Sequence, residues 1–66
     1  MIRMVIEHNF NKLPEFKDAT LLNITELKRG SAAGDFTMEL DWEHEDGMSY
    51  AASAIYNVFS TVLEVG

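Results

Sequence analysis

The stretch Asp41-Trp42-Glu43-His44-Glu45-Asp46-Gly47 gathers four carboxylates, one of the two histidines and the single tryptophan, with Glu39 just before it. Residues of these types can hold a metal, exchange protons or recruit a cation, and each chemistry sets its own demand on spacing. Calcium comes first, because Asp41, Glu43 and Glu45 fall at positions 1, 3 and 5 of an EF-hand-like loop. The remainder of that pattern is missing: Asp46 stands where the loop requires glycine, and Ala52 where it requires a bidentate glutamate. A transition metal would need His44 joined by carboxylates or by His8, and neither HExxH nor another fixed ligand spacing is present. The sequence predicts no metal site and no cofactor.

Acid–base catalysis by paired carboxylates requires one of them to be buried or crowded, so that the two titrate apart. Alternation with Leu40 and Trp42 instead sends Glu39, Asp41 and Glu43 to the solvent side of a strand. No serine lies in a GxSxG setting, and Gly30-Ser31-Ala32-Ala33-Gly34 lacks both the spacing and the lysine of a phosphate-binding loop. Asn23-Ile24-Thr25 fits a glycosylation sequon, a short pattern with little meaning without a secretion signal. A chain of 66 residues also has little material for a substrate pocket of about 300 Å3 or more. The expectation is a protein that is not an enzyme.

The elements that must position these residues follow from hydrophobic periodicity. Phe36, Met38, Leu40 and Trp42 alternate with Thr37, Glu39, Asp41 and Glu43, the pattern of a strand with one buried face. Ile2, Met4 and Ile6 alternate with Arg3 and Glu7, which predicts a second strand over residues 1–8. Residues 13–29 carry a helical stripe (Leu13, Phe16, Thr20, Leu21, Ile24, Leu27), but the crowding of Thr20, Asn23, Ile24 and Thr25 favours a strand over Thr20–Lys28. Gly30 to Asp35 then joins it to the next strand as a hairpin connection. From Met48 onward, Ala51, Ala52, Ile55, Val58, Phe59, Val62 and Leu63 fit an arc of about 140° on a helical wheel. This predicts a C-terminal helix, capped by Asp46 or Ser49. The expected fold is α+β in one domain spanning residues 1–66: a small antiparallel sheet packed by one C-terminal helix, β-β-β-α, with β-α-β-α as the alternative.

Two surfaces stand out in that arrangement. On a strand, alternate residues are about 6.7 Å apart, so Glu39, Asp41, Glu43 and Glu45 form a row of anions with Asp35 and Asp46 nearby. In water such neighbours repel by only about 0.6 kcal/mol before screening, so solvation alone tolerates the row and solubility is its plain explanation. The second surface is the outer side of the expected helix, where Tyr50, Ser53, Asn57 and Ser60 replace the usual charged residues. Tyrosine with few charges fits an interface, so these four residues are expected to form a homo-oligomer contact.

Charge narrows the partner. All five basic residues precede position 30, where four acids leave +1, while residues 35–66 hold seven acids and no base; the net charge is −6. Such a field disfavours direct binding of nucleic acid or anionic membrane and favours a basic protein surface. The absence of cysteine fits a reducing compartment, and the opening residues lack the apolar core and cleavage site of a signal peptide, so a cytoplasmic protein is expected. The stretch Gly47–Leu63 has no charge, yet serine, tyrosine, asparagine and threonine interrupt it too often for a membrane span. By analogy of size and charge alone, the expectation is a small acidic inhibitor or adaptor, of the phage-encoded kind that disables nucleic-acid-handling machinery. The alternative is an assembly subunit that oligomerises through the C-terminal helix.

Overall fold

A computed structural model describes residues 2–66. Ile6, Phe10 and Leu13 recur at intervals of four and three, and this spacing makes Ile2–Lys12 an α-helix, α1, where a strand is expected from the sequence. Met4, which the alternating pattern would bury, is 68% exposed, whereas Ile6 and Phe10 are fully buried. The helix ends against a short 3-10 turn at Pro14–Phe16. The Asn11 side-chain amide fixes that reversal by donating to the carbonyls of Phe16 and Ala19, each at 3.0 Å.

Four strands follow: β1 (Thr20–Arg29), β2 (Asp35–Glu43), β3 (Ser49–Asn57) and β4 (Val62–Val65). They form one antiparallel sheet in the order β1-β2-β3-β4. The sequence order is therefore α-β-β-β-β, which overturns both β-β-β-α and β-α-β-α. The helix is at the N-terminus, and the expected C-terminal helix is a strand pair.

The reason lies in small residues. Tyr50, Ala52, Ala54 and Tyr56 point to one side of β3 and Ala51, Ser53, Ile55 and Asn57 to the other, as their pairing with β2 requires. Alanine and serine at both phases dilute that alternation, so a helical wheel gathers the same apolar residues almost as well. Tyrosine, isoleucine, valine and threonine then tip the segment to strand, where branched and aromatic side chains pack well. The turn that separates β3 from β4 contains neither glycine nor proline. It is built by Asn57, whose side-chain oxygen accepts from the backbone N–H groups of Phe59 and Ser60, both at 2.9 Å. Thr61 closes the turn at φ 55°, a left-handed conformation uncommon for a β-branched residue.

Asn57 also ties this turn to the β1–β2 loop, donating to the Ala33 carbonyl at 3.1 Å and to the Asp35 carboxylate at 2.7 Å. Replacing it by alanine removes an acceptor for two backbone donors and a donor for two oxygens. Asn57→Ala is expected to destabilise the fold by about 1–2 kcal/mol. That is a fall in melting temperature of roughly 5–15 °C for a domain of this size, read by circular dichroism. A shift of less than about 2 °C would show that the tether is dispensable.

The core sits between α1 and one face of the sheet. It consists of Ile6, Phe10, Ala19, Leu21, Met38, Leu40, Trp42, Ala54, Tyr56 and Leu63, with Phe16, Ile24 and Phe36 partly buried beside it. At one end the aromatic rings close over it: Phe10 stacks on Phe16 at 4.6 Å, and Phe16 meets Trp42 edge-on at 5.0 Å. No helix among the described residues is long and apolar enough to cross a membrane.

Candidate docking face

The stretch 41–47 is the end of β2 and the hairpin turn into β3. Gly47 N–H donates to the His44 carbonyl at 2.9 Å and His44 N–H to the Met48 carbonyl at 3.0 Å. Gly47 supplies the left-handed residue such a turn needs, at φ 85°. Asp46 accepts from the Met48 N–H at 2.9 Å, so it holds the turn, and the helix cap expected of it has no helix to act on. His44 is half-buried at the margin of the core. Its Nε2 accepts from the Trp42 indole N–H at 3.3 Å, and its ring meets Tyr50 edge-on at 5.2 Å. Among the described residues, no group of three His, Cys, Asp or Glu side chains could hold a metal ion.

The helix covers one side of the sheet, and among the described residues no element layers the other. Met38, Leu40 and Trp42 are buried on the helix side, and Asp35, Glu39, Asp41 and Glu43 stand on the open side, half-exposed. Register fixes what lies beside them: Glu39 pairs with Ser53, Asp41 with Ala51 and Glu43 with Ser49. These small neighbours leave the carboxylates as the relief of a shallow surface. Glu39 is held by the Ser53 hydroxyl, which donates to it at 2.7 Å, and Asp35 by Asn57.

On the β1 side the paired residues are Thr20, Asn23, Thr25 and Lys28, and on β4 the same face carries Val62 and Glu64. Among the described residues, five acids and one base (Lys28) thus stand at the register-paired positions of this face, a local balance of −4, and Glu26, in the β1 irregularity, lies beside Lys28 and Glu39. The first-half arginines lie elsewhere. Arg29 sits over the Phe36 ring at 5.9 Å on the helix side, and Arg3 donates to the Leu21 carbonyl at 3.2 Å.

Of the six acids expected to meet a partner, Asp35, Glu39, Asp41 and Glu43 share the open face. Glu45 and Asp46 lie beyond its end in the exposed turn. The four residues expected to form an oligomer contact are divided between the two sides of the sheet, because the helix that would have aligned them is absent. Tyr50 is on the helix side, stacked on Trp42 at 6.2 Å; Ser53 and Asn57 are on the open face; Ser60 is in the β3–β4 turn. Missed from sequence were Ile55 and Val62, which the expected helix would have buried. Both lie on the open face, 41% and 50% exposed. The period-2 phase of Tyr50, Ala52, Ala54 and Tyr56 was the signal that could have placed Ile55 there. Comparison with known protein families, curated proteins and solved structures finds no match to this chain.

Proposed function

We propose that this protein is a non-catalytic binding module that engages a basic protein surface through the open face of its sheet, acting as an inhibitor or adaptor of nucleic-acid-handling machinery. The observation that carries the reading is the local balance of five acids to one base at the register-paired positions of a sheet face that, among the described residues, no other element covers. Alternate carboxylates on β2 stand about 6.7 Å apart, half the axial charge density of one DNA strand at about 3.4 Å per phosphate. A groove that binds nucleic acid already presents cations to such an anionic row. Ser49, Ala51 and Ser53 leave room for long cationic side chains to lie beside it.

The test is capture of binding proteins on the immobilised chain at about 50 mM salt, followed by elution toward about 500 mM, where the screening length falls roughly threefold. Basic proteins are expected to bind and elute within that window. The folded variant Glu39→Lys/Asp41→Lys/Glu43→Lys is expected to retain none of them. Equal capture by the parent and the triple variant, or retention unchanged by salt, rules the reading out.

A further inference from the structure

The open face ends in a corner where β2, β3 and β4 meet. A groove of about 210 Å3 lies there, lined by Asp35, Ile55, Asn57, Ser60, Val62 and Glu64. Asp35 pairs with Asn57 and Asn57 with Val62, while Ile55 pairs with Glu64. The two carboxylates therefore stand diagonally, two strand spacings and two residues apart, roughly 12 Å between Cα atoms. Ile55, Asn57 and Val62 occupy the ground between them, and Ser60 also lines it. Asp35 is aimed by the Asn57 amide at 2.7 Å, one bond on a carboxylate that can accept about four.

Single exposed apolar residues are ordinary. A floor that joins two aliphatic side chains, Ile55 and Val62, to the polar Asn57 and Ser60, with an anion at either end, is a more specific shape, and it complements one kind of side chain. Arginine carries an apolar stem that packs on aliphatic surface and a planar cation that forks onto a carboxylate. A second copy of this chain would bring Asp35, Glu64 and the β2 row against their own images. A phosphate would meet the same repulsion, and a wholly apolar segment would strip water from the two carboxylates without compensation.

We infer that this groove is the anchor site for an arginine side chain of a basic polypeptide segment whose neighbouring cations run along Glu39, Asp41 and Glu43. The inference rests on the open face being the docking surface and adds the point at which the partner is held.

The test uses acetylated hexaarginine amide titrated into isotopically labelled protein at about 50 mM salt. The largest amide shifts are expected at Ile55, Asn57, Val62 and Glu64, with small ones at Glu45 and Asp46, the more exposed acids of the β2–β3 turn. Ile55→Thr/Val62→Thr keeps branched, strand-compatible side chains and the charge, yet is expected to weaken binding about 3–10-fold. If that pair binds as the parent does, with the shifts centred on Glu45 and Asp46, the groove is overturned. Loss of binding in Glu39→Lys/Asp41→Lys would still uphold the wider docking face. If the threonine pair weakens binding while the lysine pair leaves it unchanged, the groove stands and the acid row falls. Unchanged binding in both pairs overturns both.

Discussion

Phe10→Ala is expected to leave the chain largely unfolded at 25 °C, with collapsed amide-proton dispersion and no cooperative melting transition. Met4→Ala, on the same helix, is expected to melt within a few degrees of the parent. Phe10 has no exposed surface and lies 4.6 Å from the Phe16 ring and 5.6 Å from Trp42. Truncating a buried phenylalanine to alanine costs about 3–5 kcal/mol, through lost transfer energy and the cavity left behind. Loss of its aromatic pairs adds roughly 0.5–1.5 kcal/mol each.

A single core in a chain below about 70 residues rarely supplies more than about 3–5 kcal/mol in total. The substitution therefore removes about as much as the fold has. Met4 is 68% exposed, and methionine and alanine are both good helix formers, so its replacement stays within about 0.5 kcal/mol. Cooperative melting of Phe10→Ala near the parent temperature would mean that α1 is not what seals the sheet.

That same helix shows where the sequence was legible and where it was not. The strand Asp35–Glu43 could be read directly because large apolar residues alternate along it with Thr37 and charged residues, and only a period of two accounts for that. The strand Thr20–Arg29 could be read in outline from its threonines and isoleucine. Its register could not, because it carries irregularities between Leu21 and Asn23 and between Thr25 and Lys28, with Glu26 at φ 55°.

The two ends of the chain misled for different reasons. In residues 2–6 four apolar side chains fall in five positions, a density that satisfies either period. Phe10 and Leu13, outside that window, decide for the helix. In β3 the helix-side phase is carried by two alanines between two tyrosines, of which only Ala54 and Tyr56 are buried, and hydrophobicity alone does not separate alanine from serine sharply enough to show it. The turn after β3 relies on a side-chain cap from Asn57 and on Thr61 in a conformation where glycine is the expected residue. The open-face acids were legible because β2 was. The groove beside them was not, because it depends on β4, and no turn signal announced that strand.

Leu40→Lys and Asp41→Lys change neighbouring residues of the same strand and are expected to have opposite effects. Leu40 is fully buried between the sheet and α1, so a lysine there loses the packing of the leucine, about 2–5 kcal/mol, and places an ammonium in a core that, among the described residues, buries no charged group. The variant is expected to be unfolded or insoluble. Asp41 is on the open face, paired with Asn23 and Ala51, with Glu39 and Glu43 as its same-face neighbours on β2. Lysine there replaces two repulsions of about 0.6 kcal/mol, before salt screening, with attractions of similar size. Its melting temperature is expected to hold or rise by a few degrees. A change of two charges in the middle of the acid row is nevertheless expected to lower hexaarginine affinity about 10-fold at low salt, equivalent to roughly 1.4 kcal/mol. Both variants folded, both unfolded, or Leu40→Lys folded with Asp41→Lys unfolded would mean that β2 does not divide its side chains between a core and an open face. A folded Asp41→Lys that binds hexaarginine as tightly as the parent would leave the pleat intact and remove the row from the binding surface. The pair thus separates the fold from the function proposed for it, because the fold needs the row only to be solvated, whereas the function needs it to be negative.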